Sequence, residues 1–419
     1  MRKITLLFLI VFLSLSGRAS YILINMDETQ PNHLKAYGIA YWILTKNVEV
    51  DWLLNYHGGS FMVKYHQQFE NECIIRGVGY DVISDAQANS ILEEIASPSS
   101  NMDVMKLEKF PKIAVYSPRS KQPWDDAVTL VLSYAEIPYD IVFDDEVMFD
   151  ELPKYDWLHL HHEDFTGQYG KFYRMYQNMP WYIEQQREYE ESARKHGFSK
   201  VSQLKLSVVN RIKAFVVSGG FLFAMCSATD TYDITQAGEG VDMIDRMYDG
   251  DPPDPRAQQK LNFENTFAFE NFIIERNPYI YEFSNIDTQP QERGLTEKND
   301  YFNLFEFSAK WDPIPTMLTQ NHTHIIKGFM GQTTSFKKDL IKSDVVIMGE
   351  NRSINESKYI HGVIGKGFFT FYGGHDPEDY QHLVGEDPTD LNLYPNSAGY
   401  RLILNNILFP AAKKKKQKT

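Results

Sequence analysis

The chain has 419 residues, 43% of them hydrophobic and 14% aromatic, and a formal net charge of −14 at pH 7. Those proportions exclude a disordered or fibrous chain and leave room for one large core or two medium ones. The acidic balance argues against a nucleic-acid partner, because phosphate contacts need a basic face. The one basic run, 413-KKKKQK-418, falls in a terminal stretch (411–419) that reads as a solvated tail.

At the N-terminus, Arg2 and Lys3 precede an apolar run from Ile4 to Leu15 that passes into 16-SGRAS-20. That is the order of a secretory signal peptide, so residues 1–20 are set aside and a periplasmic or secreted protein is expected. No later apolar run approaches about 18 residues, so no transmembrane span is expected once the signal is removed.

Next, 21-YILINMD-27 reads as a strand, 31-PNHLKAYGIAYWILTK-46 as an amphipathic helix opened by proline, and 48-VEVDWLLNY-56 as a second strand. Helix 85-DAQANSILEEIA-96 follows, and the turn-rich 97-SPSSNMD-103 marks a boundary, giving an N-terminal α/β segment over 21–103. A second series then runs through strand 112-KIAVYSP-118, helix 124-WDDAVTLVLSYAEI-137, strand 139-YDIVFD-144 and strand 155-YDWLHLHHEDF-165. Helix 202-SQLKLSVVNRIKAFVV-217 ends at Gly219-Gly220 and leads at once into strand 221-FLFAMC-226. Residues 240–330 are turn-rich and read as an insertion. Regular structure resumes with 344-DVVIMGE-350, 359-YIHGVIGKGFFTFYGGHDPED-379 and a last helix, 397-SAGYRLILNNILF-409. Apolar runs alternating with helices predict an α/β fold with a doubly wound, mainly parallel sheet over 104–410.

In such a sheet, chemistry collects at the C-terminal ends of strands. Cys226 ends a predicted strand, with small residues Ala224 and Ala228 two positions to either side. That is the spacing of a strained nucleophile elbow. Strand 367-GFFTFYGG-374 ends in 375-HDPE-378, which offers His375 as base and Glu378 or Asp376 to orient it. Two other readings of Cys226 stay open: a buried structural thiol, or a disulfide with Cys73, the chain's other cysteine.

The small-Cys-small elbow and the late His-Asp-Pro-Glu run resemble the class I glutamine amidotransferase-like superfamily. The resemblance implies Cys226 as nucleophile, His375 as base and Glu378 as orienter. Alanines stand where the amidotransferases have glycines, and Asp376 separates His375 from Pro377. The turn 165-FTGQYG-170 falls where that superfamily's oxyanion loop would be, which makes Gly167 a candidate amide donor. The opening 24-INMDETQPNHLKAYGIAYW-42 resembles exported Bacteroidetes-type proteins that often carry the label asparagine synthetase B. That label needs a cysteine at the processed N-terminus and a Ser-Gly-Gly-x-Asp-Ser loop. The nearest match to the loop is 218-SGGFLF-223.

The expected activity is therefore a cysteine amidase or peptidase-like hydrolase with no cofactor. The alternative is a non-catalytic module holding a small molecule, a sugar or a peptide. A third constellation is 159-HLHHED-164, where alternation on a strand turns His159 and His161 to one face and admits a divalent metal between them.

Overall fold

The computed structural model describes residues 20–120, 122–288 and 293–413. The signal-like segment up to residue 19 and the tail from residue 414 lie outside the described residues.

Five short strands build a first sheet: β1 (Tyr21–Ile24), β2 (Val50–Leu54), β3 (Ser60–Lys64), β4 (Asp81–Ile83) and β5 (Asp103–Leu107), in the order β4-β1-β3-β2-β5. Every pairing in it is antiparallel. Side chains alternate between its faces as the pleat requires. Ile22, Ile24, Trp52, Leu54, Phe61 and Val63 enter the main core, while Leu23, Leu53 and Met62 turn the other way. On that outer side lies helix α3 (Asp85–Ala96), which buries Ala88 and Ile95. Helices α1 (His33–Thr45) and α2 (Gln67–Arg76) cover the inner face. The N-cap of α1 is Asn32, whose side chain accepts from Lys35 N–H, so Pro31 precedes the helix instead of opening it.

The second sheet receives β6 (Ile113–Tyr116), β7 (Asp140–Val142), β8 (Trp157–Leu160), β9 (Phe221–Met225), β10 (Tyr301–Leu304), β11 (Ile325–Lys327), β12 (Phe336–Lys337), β13 (Val346–Asn351), β14 (Glu356–Ile364) and β15 (Gly367–Tyr372). Its path is β11-β10-β13-β14-β15-β9-β8-β6-β7, with β12 paired to β14. Helix α4 (Ala127–Tyr134), α1 and the C-terminal helix fill the space between the two sheets. The far face carries α6 (Pro180–Lys195), α7 (Val201–Ser218) and α8 (Ser227–Ala237), with the short α5 (Asp144–Met148) beside them; the C-terminal helix is α9 (Ala398–Leu408). One core therefore touches both sheets. Arg401 of α9 is fully buried in it and donates to the Met26 carbonyl at 2.8 Å and to that of Gly58, tying the second layer to the first.

The expectation of a doubly wound, mainly parallel sheet is overturned. The first sheet is wholly antiparallel. In the second, four pairings are parallel (β6·β7, β6·β8, β8·β9, β9·β15) and five are antiparallel. A buried strand reads as an apolar run in either kind of sheet, so run composition does not distinguish them. The connections do. Only residues 365–366 separate β14 from β15, a length that permits a hairpin and no crossover, and Gly365 takes the positive φ of 61° that this turn demands. Two further antiparallel strands, β10 and β11, come from the stretch read as an irregular insertion. No helix among the described residues is long and apolar enough to cross a membrane.

Candidate active site

The parallel strands β6, β8, β9 and β15 end at one edge of the second sheet, and four loops meet there. Cys226 follows β9 directly and precedes α8. Its backbone is at φ 49° and ψ −141°, a left-handed conformation in a residue that carries a side chain. Such strain costs on the order of 1–3 kcal/mol and persists only where neighbours over-determine it. Here Cys226 N–H donates to the Gly374 carbonyl at 3.1 Å, while its own carbonyl accepts from Thr229 N–H at 3.2 Å and Thr229 Oγ1 at 2.7 Å. Ala224 and Ala228 are both fully buried, and Ala228 N–H donates to the His161 carbonyl at 3.0 Å. Strand and helix cross closely beneath the cysteine, as an elbow requires.

His375 reaches the thiol from the loop after β15. The two side chains face each other closely enough for each to shift the other's protonation. The approach depends on Gly373-Gly374: a Cβ on Gly373 would stand 2.5 Å from the Thr334 carbonyl oxygen, and Gly374 has φ 95°. Residues 330–334 are thereby threaded beside the loop, with His375 N–H donating to the Met330 carbonyl at 2.9 Å. The same thread presents Gln332 N–H to Cys226 Sγ at 3.3 Å, with the Thr333 amide favouring the thiolate from beside it.

Burial alone would push the Cys226 thiol up. The His375 ring and the two amides outweigh it and hold the thiol below its ordinary range. Burial likewise opposes charge on His375, yet the Asp125 carboxylate and the Cys226 sulfur raise it to about 10. The arrangement favours a thiolate paired with an imidazolium, and the N-terminal end of α8 adds to it.

The carboxylate facing His375 belongs to Asp125, whose Oδ1 is 3.9 Å from Nε2 and 3.2 Å from His382 Nε2. At 3.9 Å it acts through its charge, being too far for a direct hydrogen bond. The residue expected in this place, Glu378, turns to Ser397, and burial raises its carboxyl. Asp376 bonds Thr389 Oγ1 at 2.7 Å and the Glu378 amide at 2.8 Å, so it too serves the turn. Gly167 lies in a loop stapled by Asp164 and packs on the start of α7, where a Cβ would stand 2.8 Å from Ser202 N. The amide that donates to the sulfur is that of Gln332 instead. Cys73 and Cys226 are both free, so the disulfide is not formed.

His159 and His161 do share a face, as alternation suggests, and both turn to Asp126 Oδ2, at 3.2 and 3.3 Å. His159 is enclosed between Trp157 and Phe223, and its Nδ1 is 3.2 Å from the Phe223 carbonyl. His162 departs from alternation, because β8 ends at Leu160 and the pleat no longer governs it. Its ring centroid is 6.0 Å from that of His375. Asp125 and Asp126 precede α4, and Asp126 caps that helix, its Oδ1 accepting from Thr129 N–H at 2.9 Å. A capping aspartate is visible in 124-WDDAVTL-130; that it and its neighbour also face the histidines is not. His382, stacked on His375 with centroids 4.5 Å apart, carries no sequence signal at all.

Aromatic rings border the histidines. Trp124 meets His162 edge-on at 5.2 Å and packs with Phe172 and Trp181, while Phe172 in turn meets Tyr281. A cavity of about 340 Å³ lies beside Gly219 and Gly220, at the opposite ends of the strands. Converging polar groups, and not cavity size, mark the chemistry here.

No family model and no curated protein matches the chain. Among solved structures it is similar to the cytoplasmic protein STM3548 from Salmonella typhimurium, at 12% identity and a TM-score of 0.35, covering 72% of this chain and 100% of that one. A second Salmonella typhimurium LT2 cytoplasmic protein, STM1381, matches at 11% identity and the same TM-score and coverage. Gan42B, a GH42 β-galactosidase, matches at 11% identity and a TM-score of 0.28, over 64% of this chain and 28% of its own. Likenesses at these scores carry no argument about fold or activity.

Proposed function

We propose that the protein is a thiol-dependent hydrolase of amide bonds, of the kind the amidotransferase-like resemblance implies, acting outside the cytoplasm. The observation that carries this reading is the strained Cys226 at a strand-to-helix junction, facing His375 and accepting from the Gln332 backbone amide at its sulfur. The thiolate attacks the substrate carbonyl and forms a C–S bond. The His375 imidazolium then gives its proton to the departing amine as the C–N bond breaks, leaving a thioester. Water, deprotonated by His375, attacks the thioester, releases the carboxylic acid and restores the thiol. Asp125 is a positioning residue that favours the imidazolium.

The test is alkylation of the native protein with iodoacetamide at pH 7, mapped by mass spectrometry. Rapid labelling at Cys226, with loss of turnover on an amide panel in step, supports the reading. Labelling that appears only after unfolding sinks it. The aromatic border of Trp124, Phe172, Trp181 and Tyr281 favours a second reading, a module that binds a sugar or peptide without turning it over. In that case Cys226→Ala retains full ligand affinity and no substrate of the panel is cleaved.

A further inference from the structure

Thiol chemistry uses one imidazole, yet several converge here. His161, His162 and His375 each bring a ring nitrogen within 4.8 Å of the other two. His161 is wholly buried and His375 is 6% exposed, so bulk water does not satisfy them. His161 Nδ1 lies 3.3 Å from Asp126 Oδ2, which leaves Nε2 as the nitrogen turned elsewhere, and that Nε2 has no hydrogen-bond partner among the described residues. Neither nitrogen of His162 has one, nor has Nε2 of His375. Stranding a buried polar group costs about 1–3 kcal/mol, so several in one place call for an occupant.

Neutral imidazoles are the donors that a borderline divalent ion prefers, and three of them leave a fourth position open; His375, protonated beside the thiol, gives up its proton when it binds the ion. A carboxylate behind the coordinating ring, as Asp126 stands behind His161, is the usual support that sets its tautomer. Asp125 and His382 adjoin the same ring of His375 and form a second group of three with it, so further donors are at hand. His159 is a poor ligand by comparison, because both its nitrogens already face partners, the Phe223 carbonyl and Asp126.

We propose that His161, His162 and His375 bind a zinc-type divalent ion, and that the ion reversibly silences Cys226 by occupying the imidazole that serves it. The site stands on the convergence of the three rings. Its consequence rests on the hydrolase reading above. No bond to sulfur is needed, since losing the His375 partner is enough to weaken the nucleophile.

The experiment uses tag-free full chain, stripped with a chelator and titrated with Co²⁺ or Zn²⁺ alone. One ion per chain, with the visible absorption of Co²⁺ bound to nitrogen donors, is expected. His162→Ala should weaken it at least about tenfold, the scale on which losing a ligand or its support acts. Cys226→Ala should keep the ion, which separates this site from simple capture by a thiol. Zn²⁺ at one equivalent should slow iodoacetamide labelling of Cys226, and EDTA should restore it. Absence of stoichiometric binding to the wild-type chain overturns the site, as does binding that Cys226→Ala abolishes. Stoichiometric binding that leaves labelling unchanged overturns the silencing. A metal-free chain whose Cys226 never labels overturns the hydrolase reading while the ion still binds, so the two failures are distinguishable.

Discussion

Cys73 and Cys226 are both buried, at 0% and 3% exposure, and their thiols are driven in opposite directions. Cys73 sits in α2 against the first sheet, where burial, helped by the charge of Glu70, pushes it up to about 12. Cys226 suffers the same desolvation at the edge of the second sheet, and the His375 ring and two amides reverse it. Removal from water is therefore not what makes a cysteine inert. What decides is whether the surroundings supply positive charge and donors at the sulfur.

The comparison breaks most decisively through the thiols themselves. Cys226→Ser should lower turnover by at least about 10³-fold, as loss of a nucleophile does, while Cys73→Ser leaves turnover intact and lowers only the melting temperature. Equal losses in the two variants would show that neither thiol is special. Asp125→Asn keeps shape and removes the charge facing His375, so turnover and the rate of Cys226 alkylation should both fall, on the order of 10²-fold. Cys73 labelling in the unfolded chain serves as the internal control.

A smaller effect concerns stability. Burial holds His361 down to about 4, and His33 also to about 4 with the nearby Arg401 charge contributing. Between pH 6.5 and 4 the unfolded chain therefore carries protons that the native state refuses. Each histidine should thus remove about 1.4 kcal/mol of stability per pH unit as pH falls through that window, with no slope from either above it. Urea midpoints measured from pH 7 to 4.5 check this, and His361→Phe should flatten the curve by one histidine's share. The smallest effect is expected at Glu378, whose side chain serves Ser397: Glu378→Gln should change turnover by less than about twofold. A large loss there would restore Glu378 as the partner of His375.

Much of the local architecture could be read in advance. Residues 85–96 form a helix of just that span, 221–225 a strand, and 398–408 a helix, because each has the period, caps or breakers that its conformation needs. Strands such as 60-SFMVK-64 escaped because they are short and covered on both faces, and so lack a clean alternation. β10 and β11 escaped because aromatic residues amid turns read as loop. In the site, Cys226 and His375 were legible from small residues and glycines next to them in the chain. Asp125, Gln332 and Thr333 were not, since each arrives from another loop, and nor was His382, which its own loop folds back onto His375.

The amino-acid sequence by itself determined that Cys226 leaves a buried strand for a helix, and that His375 follows a pair of glycines that let its loop approach closely. Those are matters of backbone freedom and side-chain size over a few residues. Only the tertiary structure decided that β9 and β15 lie side by side, that Asp125 faces His375 in place of Glu378, and that three imidazoles converge beside the thiol. Strand order and loop meeting points are set by the packing of both sheets around one core, and no local pattern carries that information.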